Sequence, residues 1–76
     1  MTREDLKAHY ETHSLDAFVY AKKFGLSAEA ATEVVSSAFI DLFKINGVEG
    51  EINIRAFLLM DIRDRAIKFL RHEKIT

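Results

Sequence analysis

A chain of 76 residues without cysteine is short for more than one domain and excludes disulfides and thiolate metal sites. Hydrophobic residues make up 49% of it and include six Phe and two Tyr, which is enough for a dense core, while no apolar run approaches the roughly 20 residues that span a bilayer. A net charge of −1 argues against bulk nucleic-acid binding, and the polar start Thr2-Arg3-Glu4-Asp5 has no apolar signal region, so the chain reads as cytoplasmic.

Proline is absent and the glycines are Gly25, Gly47 and Gly50, a pattern of helices punctuated at two places. The first helical segment is predicted from about Arg3 to about Phe24, with Leu6, Tyr10, Ala17, Ala21 and Phe24 at helical spacing. Ser14, followed by Leu15 and Asp16, reads as an N-cap with an acid in the first turn, so a break or kink is expected there. That break would give a short first helix and a longer second one. Gly25 is expected at a C′ position after Lys22 and Lys23.

Ser27 is the next N-cap, and the helix from about Ala28 to Lys44 aligns Ala31, Val34, Val35, Ala38 and Leu42 on one stripe. Phe39 lies beside that stripe, with Ile40 and Phe43 partly outside it, so this helix sits centrally or shows an apolar edge. Ile45 to Asn53 reads as a loop through Asn46-Gly47 and Gly50, and Asn53 as the N-cap of the last helix. That helix, from about Ile54 to about Glu73, carries Ile54, Phe57, Leu58, Ile62, Ala66, Phe69 and Leu70 at 3/4 spacing, with charge elsewhere. The sum is an all-α, compact three- to four-helix bundle in a single domain spanning residues 1–76.

Charge is unevenly spread: residues 1–26, 27–53 and 54–76 carry 0, −4 and +3. An acidic middle and a basic end suggest two surfaces with different partners, or two ordinary solvated helix faces. Catalysis has no foothold. The serines lack a nucleophile context, no glycine-rich phosphate loop occurs, and Glu29 and Glu33 form a solvated pair. No enzyme activity is expected.

His9 and His13, at i and i+4, can place two imidazoles on one metal. Position 10 is Tyr, so the zinc-protease pattern is missing, and a third ligand would have to be Glu11, Asp16 or His72. They read as surface or half-buried histidines, with no metal or cofactor expected. Phe43 and Phe57 flank the loop and are the aromatic candidates for stacking on an extruded base, although periodicity puts Phe57 in the core. Arg55, Met60, Arg63, Lys68, Arg71 and Lys74 make the best binding surface. Asp61 and Asp64 interrupt it, which fits salt bridging along the helix or contacts to base edges better than adhesion to DNA by charge alone.

Two stretches resemble a known family. Ala31-Thr32-Glu33-Val34-Val35-Ser36-Ser37-Ala38-Phe39-Ile40-Asp41-Leu42-Phe43 is similar to the Ala-Glu-Asp-Leu-Val-Gln-Glu-x-Phe-Leu-x-Leu-Trp segment of extracytoplasmic-function sigma factors. Further on, the run from Ile54-Arg55-Ala56-Phe57-Leu58 to Ala66-Ile67-Lys68-Phe69-Leu70-Arg71 resembles the family's promoter −10 helix, Phe-Arg-Ala-Trp-Leu-Tyr-x-Ile-Ala-Arg-Asn-x-Ala-Ile-Asp-Tyr-Leu-Arg. Tyr10-Glu11-Thr12-His13 and Phe18-Val19-Tyr20-Ala21 fit its opening helices. The order and separation of these stretches carry the likeness, over about residues 6–72.

The resemblance implies region 2 of a sigma factor, which binds the clamp coiled coil of the RNA polymerase β′ subunit and helps open the promoter −10 element. The implied polymerase surface is Glu33, Ser36, Ser37, Phe39 and Ile40. The implied DNA surface is Asn46, Arg55, Met60, Arg63, Asp64, Lys68 and Arg71, with the loop Ile45–Asn53 receiving a flipped base. An anti-sigma factor is a further candidate partner. Departures are Ser36 and Ser37 in place of Gln and an acid, Phe43 and Phe57 in place of tryptophans, Asp61 in place of an apolar residue and Lys68 in place of an acid. The family's helix-turn-helix domain for the −35 element has no counterpart in these residues. The other reading is a non-catalytic interaction domain of the same fold, without promoter binding, that pairs through Ile40 and Phe43.

Overall fold

Thr2 starts the first helix. Its hydroxyl accepts from the Asp5 backbone N–H, and the Asp5 carboxylate accepts from the Thr2 N–H, both at 3.1 Å, so two donors left over at a helix start are satisfied reciprocally. The computed structural model describes residues 1–45 and 47–75, with side chains through His72, and α1 runs in it from Arg3 to Lys22 without interruption. The break expected near Ser14 does not occur. A serine inside a helix costs at most about 0.7 kcal/mol relative to alanine, and nothing at that position removes a backbone N–H as proline would. The described residues therefore form three helices, and the fourth that the break would have created is absent.

Past Lys22 the chain turns through Gly25, whose φ of 87° suits glycine; it stands one residue beyond the expected C′ position, because Lys23 is the C-cap. The Lys22 ammonium donates to the Leu26 carbonyl at 2.9 Å and closes the turn, while the Leu26 side chain is buried. The second helix, α2, spans Ala28–Lys44, and Ser27 caps it as expected by accepting from the Ala30 N–H at 3.1 Å.

The third helix, α3, spans Glu51–Ile75 and so begins three residues before the expected start. Gly50 adopts a φ of 85°, and its carbonyl already accepts from the Ile54 N–H at 3.0 Å. Asn53 lies within the first turn instead of capping it, and its amide donates back to the Glu49 carbonyl at 2.8 Å.

The three helices pack on one another around α2. Ala31, Val34, Val35, Ala38 and Leu42 are buried as their spacing predicts, and Phe39 joins them. Ile54, Leu58, Ile62 and Ala66 of α3 are buried at every fourth residue, and α1 contributes Ala17 and Ala21. Half-buried Phe57, Phe69 and Leu70 pack against this core, while Tyr10 is exposed apart from its ring edge against Phe39. Alanines 21, 31, 38 and 66 have no exposed surface at all, so the helices approach through small side chains, and Leu42, Leu58 and Ile62 fill the larger spaces. At about 1.5 Å rise per residue the 25 residues of α3 account for the 39 Å long axis of the molecule. Among the described residues no helix is long and apolar enough to cross a membrane.

Removing core volume should be costly here and trimming the edge should not. Ile62→Ala is expected to lose about 2–5 kcal/mol, which would leave little or no folded population in a domain of this size. Ile40→Ala should stay within about 0.5 kcal/mol. Urea denaturation followed by circular dichroism compares the two directly.

Candidate functional site

The strongest polar contact between helices joins the acidic α2 to the basic α3. The Arg65 Nε donates to Asp41 Oδ2 and to Asp61 Oδ2, each at 3.1 Å, and its Nη2 donates to Asp41 as well. Asp61 sits one turn before Arg65 and pre-aligns the guanidinium. The bond to Arg65 holds the Asp41 carboxyl below its ordinary range, against a smaller push from burial. Asp61 moves upward, because burial and the neighbouring Asp41 outweigh its own bond to Arg65. The Arg65 pKa rises, chiefly through its bond to Asp41. Of the two roles open to Asp61 from the sequence, salt bridging along the helix is the one the geometry shows.

With Asp61 turned inward, the outer face of α3 presents Arg55, Met60, Arg63, Asp64, Lys68 and Arg71, all exposed. Arg63 and Asp64 approach to 3.7 Å in solvent, a pairing too exposed to hold either side chain firmly. The set is not one continuous patch. Arg55 lies at one flank, against His13 and Asp16 of α1. Lys68 lies at the other, over a groove of about 290 Å³ between α2 and α3 that Glu33, Ser37 and Phe69 also line. Two residues expected to meet polymerase and one expected to meet DNA thus share one groove. Asn46 lies outside the described residues, as does the side chain of Lys74.

On α2, Glu33 and Ser36 are exposed and Ser37 is half-buried. Ile40 is 52% exposed and Phe43 40%, so the apolar edge expected there is real. Phe39 is a correction: it is only 4% exposed, and its ring packs edge-on against Tyr10 at 5.0 Å, so it supports the helix from within and offers no contact surface. Of the two aromatics flanking the loop, Phe43 is accessible and Phe57 is half-buried against the core. In that loop Gly47 and Gly50 both take left-handed φ values, and half-buried Val48 packs on the core.

The histidine pair faces a residue that the sequence reading passed over. His13 Nε2 is 2.8 Å from Glu51 Oε2, and His9 Nδ1 is 3.6 Å from Glu51 Oε1. Glu11, Asp16 and His72, the partners considered from sequence, do not join this group. Glu51 stands 38 residues beyond His13, and only the start of α3 at Glu51, earlier than Asn53 suggested, puts it in the first turn beside α1. Arg65 was missed as well; its partner on α2 is 24 residues away.

Comparison with known proteins yields no relative: no family model, curated protein or solved structure matches the chain.

The two acids around Arg65 should respond differently to loss of charge. Because Asp41 is held low in the folded chain, the unfolded chain binds its proton more readily, and that stability is present above about pH 4 and lost as the pH falls below it. Asp61 is held high, so the folded chain takes its proton first and gains from it only in acid. At pH 7, Asp41→Asn is expected to cost about 1 kcal/mol and Asp61→Asn less. The Asp41→Asn deficit should shrink as the pH falls below about 4. Urea titrations of the three proteins at pH 7 and pH 3 check this, and a larger loss for Asp61→Asn at pH 7 would contradict the assignment.

Proposed function

We propose that this chain acts as region 2 of an extracytoplasmic-function sigma factor, working by binding and not by catalysis. On this reading α2 meets the β′ clamp coiled coil of RNA polymerase in the cytoplasm, through Glu33, Ser36, Ser37 and Ile40. The outer face of α3, with the preceding loop, engages the −10 element. The similarity of both helices to the family's segments, in order, motivates the reading. The observation that carries it furthest is the inward turn of Asp61 onto Arg65, which also binds Asp41. An acid that would repel phosphates is thereby engaged inside the fold, and Arg55, Arg63, Lys68 and Arg71 remain exposed for phosphate contacts that weaken with salt.

A second reading keeps the fold and gives up promoter binding. It is favoured by the exposure of Ile40 and Phe43, which form an apolar edge suited to a partner helix or a second copy. Serines at 36 and 37, in place of the longer polar side chains of the family, would weaken the polymerase contact and are the point on which the readings divide.

A pull-down against the isolated β′ coiled coil tests the polymerase half. Binding is expected, and it should strengthen when Ser36→Gln and Ser37→Glu are combined; no capture at micromolar concentration in either protein would sink it. For the DNA half, a single-stranded −10 non-template oligonucleotide should bind with salt-dependent affinity. Arg55→Ala and Arg63→Ala should each weaken it and lower the salt slope by about 0.7. Unchanged binding in both variants would remove α3 as the DNA surface.

A further inference from the structure

We infer that His9, His13 and Glu51 form a site for a divalent transition-metal ion, zinc foremost, that clips α1 to the first turn of α3. The two histidines project from one face of α1 with ring planes 19° apart and centroids 6.4 Å apart. Their side chains are only 19% and 13% exposed, whereas Glu51 is 65% exposed. Two half-buried imidazoles therefore meet a single exposed carboxylate that reaches them from another helix. The three ligating atoms lie within 4.8 Å of one another.

One carboxylate serves these imidazoles unequally. The His13–Glu51 contact is a hydrogen bond at 2.8 Å, but His9 Nδ1 at 3.6 Å is too far for one. A cation placed between the three atoms satisfies all of them. Bond lengths of about 2.0–2.2 Å around a tetrahedral zinc put neighbouring ligand atoms about 3.3 Å apart. The His13–Glu51 edge at 2.8 Å is already within that distance, and the others, none wider than 4.8 Å, need to close by about 1.5 Å at most, through rotation of the three side chains. Coordination needs a lone pair on His13 Nε2, so in the metal-bound ring the proton is carried by Nδ1.

The donor set selects the ion. Two imidazole nitrogens and one carboxylate oxygen suit zinc, cobalt, nickel and copper, whereas magnesium and calcium take oxygen ligands. Three protein ligands leave a fourth position for water, on the side of a groove of about 420 Å³ bounded by Asp5, Val48 and Gly50. The site is assembled only when α1 and α3 are docked, so metal binding adds directly to folding stability.

The test uses the full chain stripped with chelator. Zinc titration should show one ion per chain and raise Tm by about 4–8 °C or more once zinc is well above Kd, with no rise from magnesium or calcium. Cobalt should give the visible absorption of a tetrahedral N/O site. Glu51→Gln changes an exposed side chain and should leave the metal-free fold intact by circular dichroism. It should weaken zinc at least about tenfold, as His13→Gln should. Absence of a zinc-dependent Tm shift would overturn the site, and so would zinc affinity unchanged in Glu51→Gln.

Discussion

The burial of α2 is the constraint on which the other arrangements rest. With no cysteine to cross-link the chain, a domain this small must draw its stability from one core, and α2 has the broadest apolar surface from which to build it. Alanines 31 and 38 let α1 and α3 come close, and Val34, Val35, Phe39 and Leu42 fill the space between them. Because α1 and α3 are docked on α2, they also meet each other. That second-order contact is what brings Glu51 to the histidines of α1.

Polar contacts then work as alignment devices on a core that apolar burial has already built. Asp41 comes from the acidic middle of the chain and Arg65 from its basic end, so part of the charge asymmetry visible in the sequence is complementarity between neighbouring helices and not evidence for external partners. The same holds for Glu51, another acid of the middle third, which is spent on α1. After these two contacts the remaining outward charge is smaller and differently placed than a residue count suggests. On α2, Glu29 and Glu33 stay exposed; on α3, Arg55, Arg63, Lys68 and Arg71 do, with Asp64 among them.

How much could be read in advance follows from the range of each interaction. The buried face of α2 and the Ile54-Leu58-Ile62-Ala66 row of α3 were legible because burial repeats with the helical period. The Ser27 cap was legible because it is a three-residue interaction. Two local signals misled. Ser14 resembles a cap but costs too little to break a helix begun at Thr2, and Asn53 was outweighed by Gly50, whose left-handed φ lets the helix start immediately after it. Phe39 lay next to the predicted stripe, and only the position of Tyr10 across from it shows that its ring is enclosed. The Asp41–Arg65 and His13–Glu51 contacts join residues 24 and 38 positions apart, and no periodicity encodes a pairing over that distance.

These contacts also grade the anchoring of α3 along its length. Its first turn is held to α1 through Glu51, and its middle is buried at Leu58 and Ile62 and tied to α2 through Arg65. Beyond Ala66 the described side chains are at best half-buried, so local opening costs least there. The exposed cations fall at different points on this gradient. Arg55 projects from the anchored end, while Lys68 and Arg71 stand where the core thins. If α3 engages a nucleic-acid backbone as proposed, a contact through Arg55 comes from a helix segment already ordered by the fold. Contacts through Lys68 and Arg71 must also pay for ordering their part of the helix. Equal charges on one helix are therefore unequal in binding, and the inequality is set by apolar burial on the opposite face.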